Sequence, residues 1–186
     1  VLGGTKFNKK NKTADKLNIH ENILFLPSGE EEEALFFTNF AINFAKIYPT
    51  QKIIIRYHPL IKNKFKDIAN LYNLKVSKNT IENDCRISRW AIYSSSTAIF
   101  EAINYGCIPI NLRSKMLINF NNPLWQIKSD LIKEIRTFKN LSSFIVQTKR
   151  NAAYETELNC KYNMLLKEMN YLICDLNESI IFDFKK

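Results

Sequence analysis

Short apolar runs rich in β-branched residues alternate along this chain with longer amphipathic stretches, and Pro, Gly and hydroxyl residues mark the joins. Residues 23–26 (ILFL) read as a fully buried strand stopped by Pro27 and Gly29. Glu30 to Glu33 open a helix with acidic residues where the helix dipole favours them, and its apolar face runs to Tyr48 before Pro49 ends it. The polar strip of that helix, Asn39, Asn43 and Lys46, is narrow, so most of its circumference must be covered by a sheet. Further strands are expected over 52–57 (KIIIRY), 74–77, 90–94 (WAIYS) and 107–112, and helices over 62–72, 80–88 and 97–105, the last stopped by Gly106. Beyond residue 112 the pattern turns helical: 129–138, 141–150, and 153–172 with Leu158, Tyr162, Leu165, Leu166, Met169 and Leu172 on one side.

Repeated strand–helix–strand units call for a parallel sheet, and right-handed crossovers place helices on both of its faces. The expected fold is therefore α/β: a doubly wound, mostly parallel, Rossmann-like sheet over residues 23–186 with a helical C-terminal extension. Residues 1–22 read as a polar leader or linker, and an opening on Val1 suggests a piece whose N-terminal domain is missing.

Composition narrows the class. The 186 residues are 46% hydrophobic with only 4 Gly and 5 Pro, which excludes collagenous, low-complexity and disordered chains. No apolar run approaches the roughly 18 residues of a membrane-spanning helix, and the opening VLGGTKFNKKNK lacks a signal core. These features point to the cytoplasm. Cys85, Cys107, Cys160 and Cys174 form no C-x-x-C pair and cluster with neither His, so they read as reduced thiols, with no zinc site and no cofactor expected.

Lys plus Arg total 27 against 18 acidic residues, a formal net charge of +9, so polyanions are attractive partners in principle. The lysines are spread along the chain with no Arg-rich block. A solvated basic surface is favoured over a nucleic-acid footprint, and contact with the inner face of an anionic membrane fits the same charge.

In open parallel sheets ligands bind beyond the carboxyl ends of the strands, so the loops after the strands are where chemistry is sought. After the first strand, Ser28 and Gly29 allow close backbone approach, and exposed N–H groups there can meet phosphate oxygens; a plain tight turn would look the same. The glycine pattern is neither G-x-G-x-x-G nor a P-loop, which removes support from dinucleotide and nucleotide-triphosphate hydrolase readings. After the second strand come Arg56 and His58, the imidazole able to donate to a phosphate beside the rigid Pro59. After the fourth strand, Ser94, Ser95, Ser96 and Thr97 supply more hydroxyls than one helix cap requires. With the amides of the helix start they form a candidate anion site. Glu101, one turn into that helix, can accept two hydrogen bonds from a ribose diol or serve simply as a dipole-compensating surface residue.

The run SSSTAIFEAINYGCIPI resembles the C-terminal, donor-binding half of glycosyltransferases of two-Rossmann (GT-B) architecture, carried by Ser94 to Thr97, Glu101 and the Gly106-to-Pro109 step. RYHP is similar to the His-Pro motif of bacterial sialyl-, polysialyl- and capsule-type transferases. The similarity covers residues 23–112. It implies a metal-independent glycosyltransferase of surface polysaccharide synthesis, with His58 as the catalytic residue and Ser28, Gly29, Arg56, His58, Ser94, Ser95, Ser96, Thr97 and Glu101 holding the donor nucleotide. The donor it implies is a nucleotide-activated sugar, CMP-linked by preference, and the acceptor a glycan or lipid-linked acceptor bound through the missing domain. The acidic triplet that supplies the general base in sialyltransferases of this kind is missing here. CDP-glycerol-type glycerophosphotransferases share a similar His-Pro and Ser arrangement; a nucleotide-sugar epimerase half-domain and a non-catalytic polyanion- or membrane-binding module are the other readings.

Overall fold

The computed structural model describes residues 14, 16–65, 71–113 and 122–183, with 171–183 as helical backbone. Six strands form one sheet: β1 (Asn22–Leu26), β2 (Ile53–Ile55), β3 (Leu74–Val76), β4 (Ser88–Tyr93), β5 (Ile108–Leu112) and β6 (Lys133–Ile135). Their spatial order is β3-β2-β1-β4-β5-β6 and every pairing is parallel. Chain direction across the sheet reverses between β1 and β4. The central strands are buried on both faces, which is why they read as unbroken apolar runs.

Helix α1 (Glu31–Ile47) crosses from β1 to β2, and the crossover from β4 to β5 through α3 (Ala98–Asn104) runs the opposite way along the sheet. Right-handed connections therefore put α1 and α3 on opposite faces. Ala34, Phe37, Ala41, Phe44 and Ala45 of α1 are buried, with Phe37 edge-on to Phe25 of β1 at a centroid distance of 6.1 Å. Full burial of each such aromatic side chain is worth about 1.5–3 kcal/mol. Helix α4 (Phe138–Thr148) joins α1 on its face, Phe138 lying 4.6 Å from Phe40. Helix α5 (Glu155–Asp183) packs on α3, where the Tyr162 hydroxyl donates to the Ile103 carbonyl at 2.7 Å.

The fold class expected from the pattern is the fold observed, with local corrections. Residues 129–138 are not a helix, for β6 lies there. Leu131, Ile132, Ile135 and Phe138 imitate helical spacing, but an edge strand needs only one inward apolar residue, here Ile135, and leaves Lys133 and Glu134 exposed. Of the helix expected over 62–72, a 3-10 turn at Lys62–Phe65 is present; residues 66–70 fall outside the described part. β2 ends at Ile55, which places Arg56, Tyr57 and His58 in its loop, and Ser88 begins β4 instead of ending the short helix α2 (Ile81–Arg86).

Part of the stretch that reads as a leader packs on the domain. Leu17 is buried, and the Asn18 amide donates to the carbonyls of Cys85, Ser88 and Tyr105, each at 2.8 Å. Gly106 adopts φ 89° beneath this segment.

Candidate functional site

A doubly wound sheet opens a crevice where its strand order reverses, outside the carboxyl ends of the two flanking strands. Here those strands are β1 and β4, and the lips are residues 27–30 and 94–97. One side chain joins them. Glu33, buried in the first turn of α1, accepts the Ser28 N–H at 3.0 Å through Oε1 and the Ser95 hydroxyl at 2.5 Å through Oε2. The sequence pattern places Glu33 only among the acidic residues that serve the helix dipole. Its helical register with Phe37, Phe40 and Phe44 is the signal that could have found it, because a carboxylate on an apolar stripe has to be paired.

His58 stands on the β1 side of the crevice. Its ring lies over Gly29, where a Cβ on Gly29 would come 3.3 Å from Nδ1. His58 Nδ1 accepts the Leu60 N–H at 3.3 Å, so the neutral ring carries its proton on Nε2. The preceding residue anchors the loop: Thr38 donates to the Ala34 carbonyl at 2.7 Å, leaving its oxygen to accept from the Tyr57 hydroxyl at 2.6 Å. Burial pushes the Tyr57 phenol up to about 12, against the smaller opposing effect of the Thr38 bond.

The structure thus draws Ser28, Gly29, His58 and Ser95 into one neighbourhood. Ser94 and Ser96 are buried beside them, while Thr97, the first residue before α3, is exposed and makes no side-chain capping bond. The Thr97 hydroxyl is therefore not consumed by helix capping. α3 itself is 7 residues long, too short for its dipole to add much.

Arg56 is engaged elsewhere. Its Nη1 donates to the Asn79 carbonyl at 2.6 Å and pairs with Asp84 at 3.1 Å. Asp84 is fully buried and also receives the Ser77 hydroxyl and the Asn79 amide, so Arg56 closes the end of β3 onto α2. Glu101 is half-buried on α3; burial lifts its carboxyl above the ordinary value, and the Arg56 charge opposes this in part.

Next to the crevice, beyond β5, lies a cavity of about 380 Å³ lined by Asn111, Asn122, Trp125, Lys128, Asp130 and Glu134 among others. Asn111 connects the two spaces, donating to the Ser94 carbonyl at 3.4 Å while its buried Oδ1 has no hydrogen-bond partner among the described residues. This cavity escapes sequence reasoning because its lining comes mainly from residues 122–134, a stretch that the pattern leaves unassigned up to 128 and reads as a helix from 129 on. Cys85 and Cys107 are free and buried on the far side, where the Cys107 contact and burial push the Cys85 thiol well up. Among the described residues no three His, Cys, Asp or Glu side chains group as a metal site, and no helix is long and apolar enough to cross a membrane.

No protein-family model matches this sequence, and no curated protein matches it. Solved structures share its architecture. A point mutant of S. aureus TarM, in complex with fondaparinux, alpha-GlcNAc-glycerol and UDP, has a TM-score of 0.60 at 10% identity over 90% of this chain and 37% of its own. A variant of the wall teichoic acid polymerase TagF, soaked with CDPG, has a TM-score of 0.56 at 14% identity over 90% of this chain and 43% of its own. The glycotransferase of kitacinnamycin has a TM-score of 0.55 at 12% identity over 96% of this chain and 47% of its own. The chain thus spans less than half the length of each of these proteins. At such identities the likeness is one of fold, an α/β, Rossmann-like architecture built on an all-parallel six-stranded sheet.

Proposed function

We propose that this chain is the donor-binding part of a glycosyltransferase that transfers a sugar from a nucleotide in surface polysaccharide synthesis, its acceptor held by a further domain. One observation carries the reading: at the reversal of strand order, Glu33 bonds Ser28 of one lip and the Ser95 hydroxyl of the other, with the His58 ring over Gly29 beside them.

As the glycosidic bond breaks, negative charge builds on the departing phosphate, and donors already oriented toward it stabilise that charge more than they stabilise the ground state. His58 Nε2–H is such a donor, held by the Leu60 contact and by Tyr57. In this reading Glu101 accepts from a ribose diol. The polar cavity beyond β5, with an exposed indole at Trp125 and amides at Asn111 and Asn122, has the chemistry of a sugar subsite. CMP-sugars are the preferred donors. The likeness to TagF, a polymerase soaked with CDPG, supports glycerophosphate transfer as the second reading.

The test is calorimetric titration of CMP, UDP and GDP into wild type and His58→Ala. Loss of a hydrogen bond to a charged phosphate is expected to weaken binding by about 10- to 100-fold. Unchanged affinity in the variant would defeat the role of His58. Salt-sensitive binding to any polyanion with indifference to mononucleotides would favour a basic binding module instead.

A further inference from the structure

The Ser28 N–H and the Ser95 hydroxyl, two donors that the crevice offers to a phosphate, are both already bonded to an anion belonging to the protein. That anion is Glu33. It is 3% exposed, and no lysine or arginine among the described residues pairs with it. The nearby cations are committed: Arg56 to Asp84, and Lys64 to Glu31. Glu30, Glu31 and Glu32 precede it, so the start of α1, where a doubly wound fold ordinarily receives a phosphate, is lined here by carboxylates. A polar lip and an acidic floor share the same two donors.

We infer that Glu33 is the specificity-determining group of the crevice, an internal anion that occupies the donors of Ser28 and Ser95 and must release them before a nucleotide phosphate can bind there. The inference rests on the nucleotide reading above and adds a cost to it. Phosphate entering at the β1 lip has to break two hydrogen bonds and meet a fixed negative charge, so wild-type affinity for a bare phosphate is low. A ligand gains entry when its nucleoside and sugar contribute enough contacts to move the carboxylate aside. The device discriminates a complete donor from free phosphate, which shares only the charge.

Glu33→Gln keeps the size of the side chain and an acceptor for Ser28 while removing the charge. Inorganic phosphate and CMP are titrated by calorimetry into wild type and Glu33→Gln, and the amide resonance of Ser28 is followed in the wild type by NMR as CMP is added. Relief of one unit charge at close range is expected to tighten phosphate and CMP binding on the order of tenfold in the variant. In the wild type the Ser28 resonance is expected to move at saturation, because its acceptor changes. Equal or weaker binding by a Glu33→Gln protein of unchanged melting temperature would overturn the inference. So would a Ser28 resonance that stays in place at saturating CMP, a result that needs no variant. If inorganic phosphate binds more tightly to Glu33→Gln while no nucleotide binds either protein, the nucleotide reading falls and the role of Glu33 stands. If nucleotides bind the wild type and Glu33→Gln gains nothing, the reverse holds.

Discussion

Replacing Gly106 by Ala should be among the most damaging single-methyl changes in this chain. Gly106 has φ 89°, a left-handed conformation that costs a residue with a Cβ about 1–2 kcal/mol. The added carbon would also lie 2.9 Å from the Lys16 carbonyl oxygen and 3.0 Å from Asn18 Oδ1, closer than carbon and oxygen tolerate. Asn18 is not free to yield. Asn18 is held by its amide to the carbonyls of Cys85, Ser88 and Tyr105, and its N–H donates to the Gly106 carbonyl at 3.0 Å, so moving it loosens the ends of α2 and α3 together. Weakening two of these bonds at about 1 kcal/mol each brings the total to about 3 kcal/mol. In a domain of this size that corresponds to a fall in melting temperature of about 6–12 °C. Circular dichroism melts and urea titrations would measure it, with Gly29→Ala as the matched control. Gly29 is outside the left-handed region and its added carbon would meet only the exposed His58 ring at 3.3 Å, so that variant should stay within about 0.5 kcal/mol of wild type. A Gly106→Ala protein that melts within about 2 °C of Gly29→Ala, an interval of roughly 1 kcal/mol or less, would refute the packing argument.

Two further outcomes follow from buried charge. Glu101→Gln should stabilise the protein near neutral pH: the folded state raises this carboxyl, so its favourable contribution is complete below the unfolded value and is lost as pH rises through the folded one. Denaturation midpoints of wild type and variant should therefore converge as pH falls into the acid range, and a constant gap at all pH values would contradict burial as the cause. Arg89 is fully buried, donating to the carbonyls of Thr148 at 2.9 Å and Asn18 at 2.7 Å and pairing with Glu155 at 3.1 Å. Glu155→Ala leaves that guanidinium without a counter-charge and should cost about 3 kcal/mol in urea titration, whereas a loss below about 1 kcal/mol would mean that the carbonyls suffice.

The pattern of the chain reveals the layers of the fold because the central strands are covered on both faces. Ile23 to Leu26 and Ile53 to Ile55 must be apolar throughout, and such runs are legible without any knowledge of partners. β6 lacks that constraint. At the sheet edge it faces solvent on one side and bonds to one neighbour only, so Lys133 and Glu134 carry no strand signal, and Glu134 instead pairs with Arg113 at 2.9 Å and Arg136 at 3.0 Å. Asn18 is illegible for a related reason. Its three acceptors belong to residues 67 to 87 positions away, and no local pattern encodes such a partner.

The site is legible to the extent that topology determines it. Loops after strands can be located from sequence, but which loops become neighbours depends on strand order, and that order is settled by long-range packing that the alternation of strands and helices leaves open. Once β2, β1 and β4 lie side by side, residues 58, 28–29 and 94–97 have to meet, since each follows the carboxyl end of one of those strands. The same adjacency explains why the pattern conceals Glu33. In sequence it stands in a run of four glutamates whose ordinary explanation is the helix dipole, and Glu30, Glu31 and Glu32 fit that explanation by remaining exposed. Glu33 alone turns inward, and its second acceptor contact comes from Ser95, 62 residues further along the chain. A charge placed at the junction of two lips acts on whatever enters between them, so under the proposed reading the residue least visible in the sequence has the most direct influence on what binds there.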